Sequence, residues 1–484
     1  MAETKPRRDV TNDLLLCNRC GACRYVCPLL SVYREEWAGA RGKVELAEAF
    51  FKGEKIDDRE LQKIFDYCLH CMTCEENCPS GMRASEVVMA VRSEMARRGK
   101  IPRLKKLALW ALRNVDEALF RAARALRLVR KAPLHGVGAR GPLSSLYPLL
   151  GWPRERFIPL PAAKPFLGSG PELYRAADVD DLPRDLAEGR EGRRAGAGAA
   201  GGVSPAAFDE AKASALLDLV AAARRRNLAE GRRAYFFVGH AVNQFFPEEG
   251  RAVTRLLNIL GVDVLAPKDQ ACCGAPIYYA GDIAGAREAA AEVLERFEGR
   301  TYDWIVTTCS SGGLMLREDY PRLFDLNDDG FFEIEWDRGT ESFRRLPGRG
   351  TAKRLHPRVE DLYRRYVEGR VRDVNELVAE LLGLEERHDG SNGLLAEPEQ
   401  AHVPASIGAS GGREGALPVV TYHQPCHLKR GQGVDWQSEA ILRLLPAHRY
   451  ERMKDYDRCC GGGGTFAFLH AEESGKIADV KADA

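Results

Sequence analysis

The sequence predicts an α+β chain of several domains: a helical N-terminal module around two cysteine runs, then two α/β repeat units. Three observations carry this. Eight cysteines lie in two C-x2-C-x2-C-x3-C-P runs, Cys17–Pro28 and Cys68–Pro79. The other six of the fourteen cysteines gather around two copies of a Cys-Cys-Gly step, Cys272–Gly274 and Cys459–Gly461. Around each step strand and helix patterns alternate, which implies parallel strands joined by crossover helices.

Composition narrows the class. With 484 residues, 45% hydrophobic and 29% charged, the chain is ordinary for a multidomain globular protein. Lysine plus arginine is 71 against 70 acidic residues, so no basic excess invites nucleic acid. No apolar run before a cleavage site marks an export signal, and no stretch is apolar enough for a transmembrane segment. Cysteines in such a chain read as metal or redox ligands rather than a disulfide scaffold. The expected location is cytoplasmic, with any contact at the inner face of the cell membrane brought by a partner.

The first run, CNRCGACRYVCP, places Cys17, Cys20, Cys23 and Cys27; the second, CLHCMTCEENCP, places Cys68, Cys71, Cys74 and Cys78. This spacing wraps [4Fe–4S] cubes: three thiolates converge through two-residue gaps, and the fourth reaches across to the other cluster. One cluster is therefore assigned Cys17, Cys20, Cys23 and Cys78, the other Cys68, Cys71, Cys74 and Cys27. Structural zinc normally takes two separated pairs instead. Between the runs, Val44, Leu46, Ala47, Phe50 and Phe51, then Leu61, Ile64 and Phe65, recur at helical intervals. A further helix is predicted from Ser85 to a Gly99 cap. Residues 1–100 resemble the α-helical ferredoxin domain of iron–sulfur subunits, which implies a wire for single electrons.

Residues 101–186 read as a helical connecting region. Within it Leu104–Arg130 is an amphipathic helix or helix pair, expected to pack on a domain or partner rather than on a membrane surface. Residues 187–231 read as a flexible linker, containing AGAGAAGGVSP, and a helix.

The first repeat unit spans 232–325. Strands are expected at Arg233–Val238, Val262–Leu265 and Trp304–Thr308, and helices at Arg251–Leu260 and Ile283–Phe297. Its cysteines, Cys272, Cys273 and Cys309, follow strand ends, where parallel sheets gather ligands. Residues 326–417 form an insert with helices and a second linker at 386–416. The stretch DLNDDGFFEIE at its border imitates a calcium loop, but Trp336 stands where the closing glutamate belongs, so a surface turn is expected. The second unit, 418–484, has a strand at Pro418–Tyr422 leading to Cys426, helices at Glu439–Leu445 and Ala471–Ala484, and Cys459 and Cys460 in DRCCGGGGTF. A counterpart of Cys309 would fall past Ala484, so this unit is expected to be C-terminally incomplete.

YHQPCHLKRGQGV and RCCGGGGTF, together with the N-terminal runs, resemble the cysteine-rich "CCG" family of iron–sulfur oxidoreductases. That family includes the cysteine-rich subunit of heterodisulfide reductase and the iron–sulfur subunits of glycolate and D-lactate dehydrogenases, and the resemblance spans nearly the whole chain. It implies a metal or cluster site in each unit: His240, Cys272, Cys273 and Cys309 in the first, Cys426, Cys459 and Cys460 in the second. The latter three are also the candidate catalytic thiols. Two departures stand out: His240 occupies a cysteine position, and Gly312 replaces the second cysteine of a CxxC pair. Histidine ligates iron in Rieske centres, so the first site is either one further iron–sulfur cluster or vacant. His423 and His427, flanking Cys426, are either groups that tune a cluster or packed loop histidines. The glycines after Cys460 allow close backbone approach and positive φ.

No Rossmann glycine fingerprint opens a helix, so a flavin is expected on a partner subunit. The expected function is an electron-transfer subunit of a flavin-linked 2-hydroxyacid dehydrogenase, of glycolate or D-lactate type. Electrons would run from the partner's flavin through two [4Fe–4S] clusters to a membrane-bound or soluble acceptor. Two alternatives stand beside it: a heterodisulfide-reductase-like catalytic subunit, and a zinc-stabilised scaffold without redox function.

Overall fold

Apolar residues at helical spacing give the N-terminal module its core. In the computed structural model, residues 10–114, 161–176, 209–324, 334–345, 357–385, 417–464 and 466–483 are described. Helices Val10–Leu16, Ala40–Phe51, Asp58–Asp66 and Ala84–Arg97 bury Leu14, Val44, Leu61, Phe65, Val87 and Val91 together. Asp57 starts the third of these by accepting from the amides of Arg59 and Glu60. Gly99 stands past the fourth in a left-handed conformation, φ 70°, as a helix end favours. The buried carboxylate of Asp13 meets the Arg83 guanidinium at 2.7 Å and fastens the first helix to the fourth.

Strand β1 (Leu173–Tyr174), β2 (Arg233–Phe236), β3 (Asp263–Leu265) and β4 (Trp304–Thr307) enter one sheet. A separate antiparallel hairpin, β5 (Ile334–Asp337) with β6 (Ser342–Arg345), follows. Strand β7 (Val371–Asp373) then completes the five-stranded sheet, in the order β1-β3-β2-β4-β7. Its strands are parallel except β1, and Tyr235 pairs with both Leu265 and Ile305. All four residues of β4, WIVT, are buried, as a central parallel strand covered on both faces requires.

The sheet is wider than the sequence predicts. Strand β1 comes from the connecting region and β7 from the insert at 326–417, and neither is long enough to show a periodicity. Short helices also follow the strands: Gly239–Gln244, Ala275–Tyr279 and Ser310–Leu314. The helix expected at 251–260 begins earlier, at Pro247.

The second unit is smaller than an α/β repeat. The strand expected over 418–422 shortens to β8 (Val419–Val420), which pairs in parallel with β9 (Arg449–Tyr450). Helices Cys426–Gln432, Trp436–Arg443 and Ala471–Ala482 make up most of the rest. It does not stand apart: Ala440 and Leu444 share a core with Leu377, Val378 and Leu381 of the helix after β7. Both expected linkers, the calcium-like stretch 325–333 and the connecting helix beyond Asn114 lie outside the described residues. Among the described residues no helix is long and apolar enough to cross a membrane.

Candidate functional site

The two N-terminal cysteine runs fold alike. The second and fourth residues after each first cysteine are left-handed: Arg19 and Gly21 at φ 58° and 84°, His70 and Met72 at 54° and 58°. Non-glycine residues rarely adopt this conformation, so its recurrence at matching positions marks one wrapping geometry used twice. Cys27 of the first run joins Cys68, Cys71 and Cys74 of the second around one pocket, beside Lys43 and Ala38. Cys17 and Cys20 neighbour Cys23, and Cys20 is exposed. Cys78 Sγ lies 3.3 Å from Ser80 Oγ. Among the described residues no three histidine, cysteine or acidic side chains close on a single-ion point.

Burial pushes the Cys27 thiol up to about 11 and raises Cys74. Cys71 goes the other way, down to about 6, because Cys459 of the second unit hydrogen-bonds it. The His70 amide lies 3.4 Å from Cys68 Sγ, and Thr73 Oγ1 the same distance from Cys71 Sγ. Donors so placed favour charged sulfur, which suits the donor set to an iron–sulfur cube.

Two buried cations that motif reading overlooked hold these loops. Arg92 donates to the carbonyl oxygens of Phe65, Cys68 and Tyr279 at 2.8, 2.7 and 2.8 Å. Lys43 donates to Trp37 O at 3.3 Å and to Ala38 O. The available signal was a charge on an otherwise apolar helix face, as in VVMAVRSEM.

In the first unit, Gln270 clamps the chain after β2: its Oε1 accepts from Val238 N at 2.9 Å, and its Nε2 donates to Phe236 O at 2.8 Å. Gly274 turns at φ 81°, and a Cβ there would meet Ala289 Cβ at 3.0 Å. Cys309 caps the helix after β4, with Gly312 N 3.4 Å from its Sγ. Where a second cysteine was the family pattern, a backbone N–H faces the sulfur. Hydrogen bonding to Cys272, then burial, raises Cys273; burial raises Cys309. His240, Cys272, Cys273 and Cys309 all line one cavity of about 460 Å³. It opens at the carboxyl ends of β2, β3 and β4, the crevice where such sheets bind ligands.

The second unit turns its thiols elsewhere. Cys459 is buried and hydrogen-bonds both Cys426 and Cys71, bonds that raise it before burial adds its share. Gly461 turns at φ 76°, and a Cβ there would sit 2.7 Å from Ser474 O; one on Gly463 would sit 3.1 Å from Leu69 O. The glycines thus let the loop lie directly on helix and ferredoxin-like backbone. Cys460 is half-buried beside them. His427 is a fastener: Nε2 is 2.9 Å from His70 O and Nδ1 2.9 Å from Ser311 Oγ. A carbonyl only accepts, so Nε2 carries the proton and Nδ1 takes the serine hydroxyl. His423 Nδ1 lies 3.2 Å from Tyr456 O. Arg430 adds ion pairs to Glu76 at 2.6 Å and Asp457 at 2.8 Å.

Paired cysteine loops of this kind, docked on units with a Cys-Cys-Gly step, define an iron–sulfur protein. Residues 13–82 match the 4Fe-4S dicluster domain, and residues 234–317 and 420–484 match the cysteine-rich domain. The chain thus matches a 4Fe-4S dicluster domain and a cysteine-rich domain that occurs twice, and several of the relatives it resembles are iron–sulfur subunits of oxidoreductases. It is 22% identical to the "Probable glycolate oxidase iron-sulfur subunit" of Bacillus subtilis, over 99% of this chain and 85% of that protein. It is also 22% identical to the Escherichia coli "Glycolate oxidase iron-sulfur subunit", over 97% and 84%. A subunit of the fumarate reductase (CoM/CoB) of Methanothermobacter marburgensis is 27% identical over 48% of this chain and 34% of its own. No solved structure matches.

Proposed function

We propose that this chain is the iron–sulfur electron-transfer subunit of a flavin-linked 2-hydroxyacid dehydrogenase of glycolate or D-lactate type. The observation that carries the reading is the gathering of Cys27 with Cys68, Cys71 and Cys74, from two separate runs, around one pocket. Cys27, Cys68, Cys71 and Cys74 hold one [4Fe–4S] cube, and Cys17, Cys20, Cys23 and Cys78 the other. Bound there, the cubes supply one-electron redox chemistry. The protein's own residues anchor the sulfurs, exclude water from the inner set and aim N–H and O–H donors at Cys68 and Cys71. The similarity to two glycolate oxidase iron–sulfur subunits over most of their length supports a flavin-bearing dehydrogenase as partner.

The contact of Cys459 with both Cys426 and Cys71 favours a second reading, thiol–disulfide chemistry in the second unit. One experiment separates the two. The protein is affinity-purified under argon with whatever flavoprotein it retains, then given glycolate or D-lactate. Bleaching of the cluster absorbance by one acid, only when the flavoprotein is present, is expected. Clusters that stay oxidised with the flavoprotein bound and reduced would overturn the electron-transfer reading.

A further inference from the structure

Helix Ala40–Phe51 turns Ala40, Lys43, Val44 and Ala47 to the core, an apolar stripe at helical spacing with one lysine in it. Lys43 is buried, lines the pocket of Cys27, Cys68, Cys71 and Cys74, and donates to Trp37 O at 3.3 Å and to Ala38 O. Among the described residues it meets carbonyl oxygens and no carboxylate. Arg92, buried on helix Ala84–Arg97, repeats this: its partners are the carbonyl oxygens of Phe65, Asp66, Cys68 and Tyr279. Burial lowers the Lys43 ammonium, the charges of Cys68, Cys27 and Cys74 raise it, and that of Arg92 lowers it further. A buried cation without an anion is costly, yet two stand together beside four cysteines. A cube held by four thiolates is the anion that suits them.

The outer set, Cys17, Cys20, Cys23 and Cys78, stands in a different field. Arg19 and Arg24 lie in its loop, and Arg41 donates to Arg19 O at 3.2 Å. Each of the three is matched: Arg41 with Glu36 at 2.7 Å, Arg24 with Glu36 at 3.4 Å, Arg19 with Glu48 at 3.6 Å. Cys20 is exposed, so water screens what charge is left. At the inner set the carboxyl of Glu75 bears on Cys74, and even when ionised it offsets only one of the two cations. Arg430, which bears on Cys71, is matched by Glu76 and Asp457.

Reduction adds one negative charge to a cube, and its potential follows net charge, hydrogen bonds to sulfur and exposure. Burial alone disfavours the added charge. It also removes the water that would screen Lys43 and Arg92, so their attraction acts at full strength. The His70 amide and Thr73 Oγ1, each 3.4 Å from Cys68 and Cys71 sulfur respectively, act in the same direction.

We propose that Lys43, backed by Arg92, sets the direction of electron flow: its buried charge holds the inner cube at a higher reduction potential than the outer one. The proposal deepens the electron-transfer reading and rests on its two cubes. One electron entering at the exposed Cys20 side passes inward, so the outer cube is oxidised and the inner cube reduced; no bond breaks and no proton moves. The electron collects beside Cys71, where Cys459 of the second unit makes contact.

The test is a redox titration of the full chain under argon, followed by electron paramagnetic resonance, with each signal assigned by its loss in Cys27→Ser or Cys17→Ser. In the parent the inner cube should be reduced first. Lys43→Met keeps the side chain's length and Lys43→Gln keeps a donor for the carbonyls, and both lose the charge. Each should lower the inner potential by about 59 mV, a tenfold shift in sharing one electron, with the outer potential and the iron content unchanged. Lys43→Arg, which restores the charge, should return the potential toward the parent's. An outer cube reduced first in the parent would overturn the proposal, as would uncharged variants that keep the parent's inner potential or move both potentials equally. Where one uncharged variant loses iron, the other and the parent's order decide. Iron short of two cubes in the parent would sink the electron-transfer reading instead.

Discussion

His427 hydrogen-bonds His70 across 357 residues of sequence, Nε2 to carbonyl oxygen at 2.9 Å, inside the junction of all three cysteine-bearing units. Its other nitrogen takes the Ser311 hydroxyl, so one neutral imidazole ties the second unit to the first and to the ferredoxin-like loop. Replacing it leaves the His70 carbonyl buried without that donor. His427→Phe is expected to cost about 1–3 kcal/mol, read by denaturant unfolding under argon. An unchanged midpoint would mean that the junction does not depend on this bond.

The crossing of the cysteine runs gives a sharper expectation. Cys27→Ser should strip the same cube as Cys68→Ser, leaving about four irons per chain in each case. The residual electron paramagnetic resonance signal of the two variants should coincide, and should differ from that of Cys17→Ser. Matching signals for Cys27→Ser and Cys17→Ser would show that each run closes on its own cluster.

Glycine is required at one position of the GGGG tract more than at another. Gly461 combines φ 76° with a Cβ position 2.7 Å from Ser474 O, whereas Gly464, at φ 50°, has open space around it. Gly464→Ala should cost about 1–2 kcal/mol from backbone conformation alone. Gly461→Ala must also displace the helix at Ala471–Ala482 and should cost about 3 kcal/mol or more. Equal losses in thermal unfolding would contradict the difference in packing.

Asp319 supplies a pH dependence. Burial raises its carboxyl to about 7, against Arg322, which lowers it, and Glu86, which raises it further; Tyr279 donates to it at 3.0 Å. A raised folded pKa means that the folded state holds a proton the unfolded state has lost. Stability is therefore greatest below the unfolded value near 3.8 and falls as pH rises to about 7. Between pH 6 and pH 8 the loss should be about 1 kcal/mol, and Asp319→Asn should remove it. A parent and variant with parallel pH profiles would rule Asp319 out.

Much of this was legible in the chain itself. Fourteen cysteines in two spacing patterns announce cluster-binding loops, because ligand convergence is a local property of C-x2-C-x2-C. Strand–helix alternation around Cys272 likewise announces a parallel sheet. What could not be read depends on distance in sequence. Strands β1 and β7 are two and three residues long and carry no periodicity. That Cys459 would meet Cys71 rather than Cys309 is a docking event with no local signature. His427 fell the same way: the sequence left open whether it tunes a cluster or packs, and both its nitrogens prove engaged in joining loops.

The most direct test of the central claim is iron, acid-labile sulfide and zinc per chain on protein purified without oxygen. About eight irons with matching sulfide, four per cube, are expected at the eight N-terminal cysteines, with any excess belonging to the Cys-Cys-Gly units. Zinc in place of iron, in a colourless protein, would contradict it.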